Sequence, residues 1–167
     1  MSRMLSLTMR QALNAQETGE LPIFLLTVTH PQLESPILLS SDPTQRLSET
    51  PLVYGTHSRE RDFMFLPMSF TIPDEKDDAP PATQLVIDNV DRELVNILRS
   101  TSTPAQVLIE LVLASAPNAV EIEFPLFDLV GADYDAQQVS LSLALNGLAT
   151  EPFPSGTFSP ATFPGLF

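Results

Sequence analysis

The sequence predicts a mainly β protein with one or two short helices (α+β), folded as an antiparallel β-sandwich or small barrel with one helix across it. Three observations carry that prediction. After Pro104, three successive segments alternate apolar and polar residues with period two, the pattern of half-buried antiparallel strands. Sixteen prolines stand against six glycines, and proline is excluded from helix interiors and central strands, so loops and strand borders must be frequent. A capped amphipathic stripe occurs in the interior only at residues 90–99.

The chain has 167 residues, 43% hydrophobic and 17% charged, which is enough apolar material for one core and too little charge for a disordered chain. Three parts are expected: an N-terminal helical segment over 1–20, a β-sandwich or barrel domain over 21–150, and an extended Pro/Phe-rich arm over 151–167.

Residues Leu5 to Gln16 read as a helix, with Leu5, Met9, Ala12 and Leu13 on one face and Gly19 as its terminator. Ile23 to Thr29 is apolar and β-branched and reads as a strand stopped before Pro31. Pro36 to Ser40 reads as its partner. Residues 41–51 read as a long irregular loop. Asp62 to Ile72 alternates Met64, Leu66, Met68, Phe70 and Ile72 onto one face, with Pro67 marking an edge or a bulge. The charged stretch 74–81 reads as a loop, and Gln84 to Asp88 as a short strand. In the helix at 90–99, Asp88 or Asn89 is the cap, Asp91 and Glu93 sit at the favourable dipole end, and Val90, Leu94, Ile97 and Leu98 form the stripe. The three strands after Pro104 are 105–115, 119–129 and 137–147, the first two joined by a turn at Ala116 to Ala119. Leu108, Glu110, Val112 and Ala114 make the second face of the first of these semi-apolar, a surface expected to be buried against partners.

A net charge of −13 and a pI near 4.2 disfavour ordinary nucleic-acid binding. The absence of cysteine excludes disulfides, thiolate metal sites and cysteine nucleophiles. No apolar h-region opens the chain, and the longest apolar run, Val107 to Ala114, is far short of a membrane helix and carries Glu110, so neither a signal peptide nor membrane insertion is expected.

Catalytic motifs are sparse. His30 and His57 read as two strand- or loop-edge histidines rather than a metal pair. Neither a G-x-S-x-G elbow nor a glycine-rich phosphate cradle occurs. Asp74, Lys76 and Asp78 lack the glycine and glutamate of an EF-hand and read as a plain acidic loop. Acids in turns and on outward strand faces read as solvated surface. The run Arg59-Glu60-Arg61-Asp62 either docks a partner's acids through Arg59 and Arg61 or forms local ion pairs at a strand entrance. No enzymatic activity, metal or cofactor is expected.

Several segments in fixed order carry a resemblance: Leu52-Val-Tyr-Gly-Thr56, Asp78-Ala-Pro-Pro-Ala82, Leu85 to Leu94, Leu111-Val-Leu-Ala-Ser115 and Phe163-Pro-Gly-Leu-Phe167. Over residues from about 10 to the last, the chain resembles a family of short bacteriophage and prophage tail-module proteins known as a domain of unknown function. The resemblance implies a virion structural protein, of the minor tail, distal tail, baseplate or tail-tip hub type. It implies a tail-tube-type sandwich or barrel with a flanking helix, arranged in a three- or six-fold ring. The implied partners are further copies and other tail proteins (tube, hub, tape-measure or fibre), with DNA only as cargo of the lumen. The implied location is the phage tail, after synthesis in the host cytoplasm. In that setting a negative lumen would let DNA slide; plain solubility accounts for the acids equally well. Two other readings stand beside it: a tail assembly factor absent from the mature particle, and a host- or carbohydrate-binding β-sandwich, for which a chain without tryptophan and with only Tyr54 and Tyr134 offers few stacking platforms.

The C-terminal arm is the most specific interaction candidate. Phe153, Phe158 and Phe163 recur every five residues, Leu166 and Phe167 close the chain, and Pro152, Pro154, Pro160 and Pro164 favour an extended backbone. Such a segment is expected to fill pockets, either on its own domain or on a neighbouring subunit.

Overall fold

In the computed structural model the described residues are 5–71, 82–88, 104–134 and 138–145. They form one helix, α1 (Leu7–Asn14), and eleven strands: β1 (Pro22–Thr29), β2 (Ile37–Ser40), β3 (Gln45–Glu49), β4 (Leu52–Ser58), β5 (Arg61–Phe65), β6 (Met68–Phe70), β7 (Ala82–Asp88), β8 (Gln106–Leu113), β9 (Ala116–Glu123), β10 (Phe127–Tyr134) and β11 (Gln138–Ala144). The protein is mainly β with a short helix. The expected helix at 90–99, the acidic loop at 74–81 and the arm at 151–167 lie outside the described residues.

All strands join one curled sheet in the order β3-β4-β5-β2-β1-β8-β10-β11-β7-β6, with β9 branching from β8. Neighbours pair antiparallel except β2 and β5, which run parallel through Leu39–Met64 and Ser40–Phe65. The curl follows from the chain itself. β5 and β6 stand far apart in the sheet order, yet only Leu66 and Pro67 separate them in sequence. The sheet must therefore bend round until the β6 end approaches β5. The single expected strand over 62–72 is thus two strands. Pro67 has no N–H to continue one ladder, so the chain leaves β2 there and passes to β7.

The main core lies inside this curl: Leu26, Val28, Leu39, Leu85, Ile87, Val107, Ile109, Phe124, Phe127, Val139, Leu141 and Leu143 are buried together. Alternation put Val107 and Ile109, and Val139, Leu141 and Leu143, on single faces, and the structure buries those faces here. A second cluster, Ile23, Leu25, Phe63 and Val112, fills the other face of β1 and β8. β1 and β8 are consequently buried on both sides, with Leu25, Ile109 and Val112 at 0% exposure. On the semi-apolar second face of β8, Val112 is covered by Phe63 of the chain's own β4–β5 hairpin and Glu110 is buried, while Leu108 is half-buried and Ala114 exposed.

Several boundaries differ from the sequence reading. Residues 41–51 contain β3, and the stretch around His57 is β4 rather than a loop; pairing with β5 and with each other holds both in place. α1 ends at Asn14, with Ala15 already extended, so Gly19 is not its cap. Ser6 caps the other end, accepting from the Met9 amide at 3.1 Å. Met9 packs on Leu111 and Leu113, whereas Leu13 is exposed. The β8–β9 turn falls at Ala114–Ser115, ahead of the expected 116–119. The expected strand over 119–129 breaks at Pro125. Its halves, β9 and β10, lie end to end along one edge of β8, opposite 110–113 and 106–107 respectively. The break changes the phase of alternation: Phe124 and Phe127 are buried, while Leu126 is exposed.

Candidate functional site

The most elaborate polar constellation among the described residues is built on the tip of the β4–β5 hairpin. Ser58 pairs with Arg61, leaving Arg59 and Glu60 as a two-residue turn. Both have positive φ, 49° and 61°, the geometry of a type I′ turn. That turn matches strand twist but favours Gly, which has no Cβ, or Asn, which can hydrogen-bond locally; other residues there cost about 1–2 kcal/mol each.

Contacts to β8 and β9 offset that cost. The Arg59 guanidinium donates from Nη1 to Glu110 Oε1 at 2.7 Å and from Nη2 to Oε2 at 2.6 Å, a bidentate fork. Its Nε donates to Ser58 Oγ at 3.3 Å. The Arg59 amide donates to Asn118 Oδ1 at 2.7 Å, and Ser58 Oγ donates to the Pro117 carbonyl at 2.6 Å. The Glu110 side chain is only 4% exposed and that of Arg59 39%. Glu123 stands directly opposite Glu110 on β9, a like-charge pair that would repel without a cation. The hydrogen bonds to Glu110 hold the Arg59 guanidinium above its ordinary value against the opposing effect of burial, and the charges of Glu110 and Glu123 add to the rise. The arrangement is an electrostatic clamp. It holds a hairpin shut over an apolar face with a group that stays charged at ordinary pH.

Of the residues singled out in the sequence, Arg59 is thus engaged within the chain, and Arg61 lies exposed at the start of β5. Phe153, Phe158, Phe163, Leu166 and Phe167 lie outside the described residues. Glu110, Asn118 and Glu123 join Arg59 without having been proposed as a group. Only Glu110 had a visible signal, being a lone carboxylate within the apolar run Val107 to Ala114.

The two histidines are far apart in role. His30 is buried, and its Nδ1 accepts from the Gln32 amide at 3.1 Å, which in the neutral ring places the proton on Nε2. With Asp128 and Gln106 it borders an open depression of about 370 Å³, which Thr29, Pro31 and Pro104 also line. His57 is exposed, with Nδ1 2.6 Å from Asp62 Oδ1 across the β4–β5 pair. No group of three or more potential metal ligands occurs among the described residues.

An apolar groove of about 430 Å³ runs between β2 and β3–β5, lined by Pro36, Ile37, Leu38, Leu47, Val53 and Met64. Beside it, β3 forms a sheet edge among the described residues. That edge carries a register shift between Arg46 and Ser48 and an Arg46–Glu49 ion pair at 2.7 Å, features that discourage addition of a further strand.

A search of curated proteins gave no match to this chain. A family model matches residues 8–158, a span that includes α1 from its second residue, all eleven described strands and the Arg59–Glu110 clamp. The match takes in the quoted segments from Leu52 to Ser115 and stops short of Phe163 to Phe167. On that coverage the chain belongs to the family described as Domain of unknown function (DUF1833).

Proposed function

We propose that this protein is a structural component of a bacteriophage tail, at the distal tail, tail-tip hub or baseplate, where copies form a ring and contact other tail proteins. The observation that supports the reading is the scaffold. It is a curled, mostly antiparallel sheet, in keeping with the sandwich or barrel that the tail-protein resemblance implies, while the flanking helix expected at 90–99 lies outside the described residues. Its ring contacts are not drawn from Glu110 and Val112 of β8, which are buried within the chain. They are drawn from Met64, which lines the β2–β5 groove, from the exposed Leu52 and Tyr54 of β4, and from the Phe-rich arm.

Mass spectrometry of purified virions tests this. Peptides of the chain should be present at a copy number divisible by the ring order, and a cryo-EM map of the tail tip should show each copy beside a like neighbour. Absence from the particle, with loss of tails when the gene is removed, would replace the structural role with that of an assembly factor. A solitary copy in the particle would remove the ring.

A further inference from the structure

The segment β3–β4–β5 is tied to the rest of the molecule at two places. On one side is Ser40, fully buried. Its Oγ shares a 2.7 Å hydrogen bond with Thr56 Oγ1 and accepts from the Asp42 amide at 3.1 Å, and its carbonyl accepts from the Leu66 amide at 3.0 Å. Both chain crossings into the segment, 41–44 and 66–67, therefore lie next to one residue. On the other side is the hairpin tip, held by Arg59 on Glu110, Ser58 on Pro117 and the Arg59 amide on Asn118. Between them the ladder to β2 consists of the short parallel pairing Leu39–Met64 and Ser40–Phe65. The apolar content beneath the segment is small: Phe63 against Ile23, Leu25 and Val112.

This is the layout of a hinged flap. We propose that β3–β5 opens as one unit about the Ser40 side when the Arg59–Glu110 latch is released, uncovering the Ile23, Leu25 and Val112 face of the β1–β8 pair. Three observations point the same way. The tip holds two non-glycine residues at positive φ, a conformation that persists only while its contacts hold it. The buried Glu110 sits opposite Glu123, so loss of the Arg59 contact leaves two facing carboxylates and favours the open form. The remaining strands, β1, β2 and β6–β11, hold the separate main core, of which Phe63 is not a member. This inference is independent of the tail reading.

Native-state hydrogen exchange on the full chain tests it, because subglobal opening gives neighbouring amides one shared protection level below that of the global core. In the wild-type protein, amides of β4 and β5 should share a common level beneath that of β7, β10 and β11. In Glu110→Gln, exchange in β4 and β5 should accelerate by about tenfold or more, with β7 and β11 unchanged. If wild-type β4 and β5 match the global level, or if Glu110→Gln affects β7 and β11 equally or leaves β4 and β5 untouched, the flap is refuted. Should Glu110→Gln fail to fold, the wild-type comparison alone decides.

Discussion

Arg59 and Glu110 stand 51 positions apart in the chain and meet through two parallel hydrogen bonds of 2.7 and 2.6 Å, one residue in a strained hairpin turn and the other buried in the middle of β8. The pair joins the tip of the β4–β5 hairpin to the centre of the sheet. Neither partner is replaceable alone, because the one left behind is a charge in a place where water cannot fully serve it.

Arg59→Ala should therefore lower the free energy of unfolding by about 3 kcal/mol, read from urea denaturation, with Glu110 left buried and unpaired. Replacing both together, Arg59→Met with Glu110→Leu, should recover most of that loss, to within about 1 kcal/mol of wild type, since no charge is then stranded. A double variant as unstable as the single one would show that the pair contributes something beyond charge satisfaction.

The pH dependence of the clamp follows from the sign of the Arg59 shift. Its folded value is raised above that of a free guanidinium, so its contribution is complete at ordinary pH and is lost only in strong alkali, as pH climbs through the raised value. Between about pH 6 and pH 9 the stability difference between wild type and the double variant Arg59→Met with Glu110→Leu, in which neither clamp charge remains, should stay flat. A slope in that difference across the range would require a second titrating group at the clamp.

Glu60→Gly should stabilise the protein by about 0.5–1 kcal/mol. Glu60 sits at φ 61°, where a glycine pays no Cβ penalty, and the Arg59 contacts are kept. An unchanged or lower midpoint in denaturant would mean that the Glu60 side chain makes up for its backbone strain.

Gly55→Ala should be severely destabilising, by about 3 kcal/mol or more. A Cβ at Gly55 would fall on the backbone carbonyl of Phe63 and within 2.8 Å of Leu47 Cδ1. The carbonyl belongs to the neighbouring strand and cannot swing aside as a side-chain end does. A folded variant with wild-type stability would show that β4 and β5 separate easily.

Removing residues 152–167 separates the two readings of the arm. The expected outcome is a protein that still folds, judged by circular dichroism and denaturation, but no longer enters tails. Insolubility or unfolding would assign Phe153, Phe158 and Phe163 to the chain's own core. Normal tails with truncated protein would remove the arm from both roles.

The β1 strand, the β8 and β11 faces and the β8–β9 hairpin were legible because each is written locally. Apolar residues recur every second position, and proline or polar clusters punctuate them. β4 was not legible. Leu52 to Ser58 contains Gly55, Thr56, His57 and Ser58, with no apolar period, and becomes a strand through its pairing with β3 and β5. The break at Pro125 was visible as a proline, yet the alternation from Val120 to Leu126 ran through it and concealed the change of face. The clamp was the least legible feature. Arg59 could be seen as a cation at a hairpin and Glu110 as an odd acid in an apolar run, but nothing local pairs position 59 with position 110.

The β class and the strands β1, β8 and β11 were thus decided by composition and local periodicity, which act through burial and need no knowledge of partners. The order of strands, the passage of the chain from β2 to β7 at Pro67, and the closure of the hairpin over β8 were decided in three dimensions. They depend on which distant segments can satisfy each other's backbone groups, apolar faces and charges at once, and Glu110 acquires its partner only when the sheet curls far enough to bring Arg59 over it.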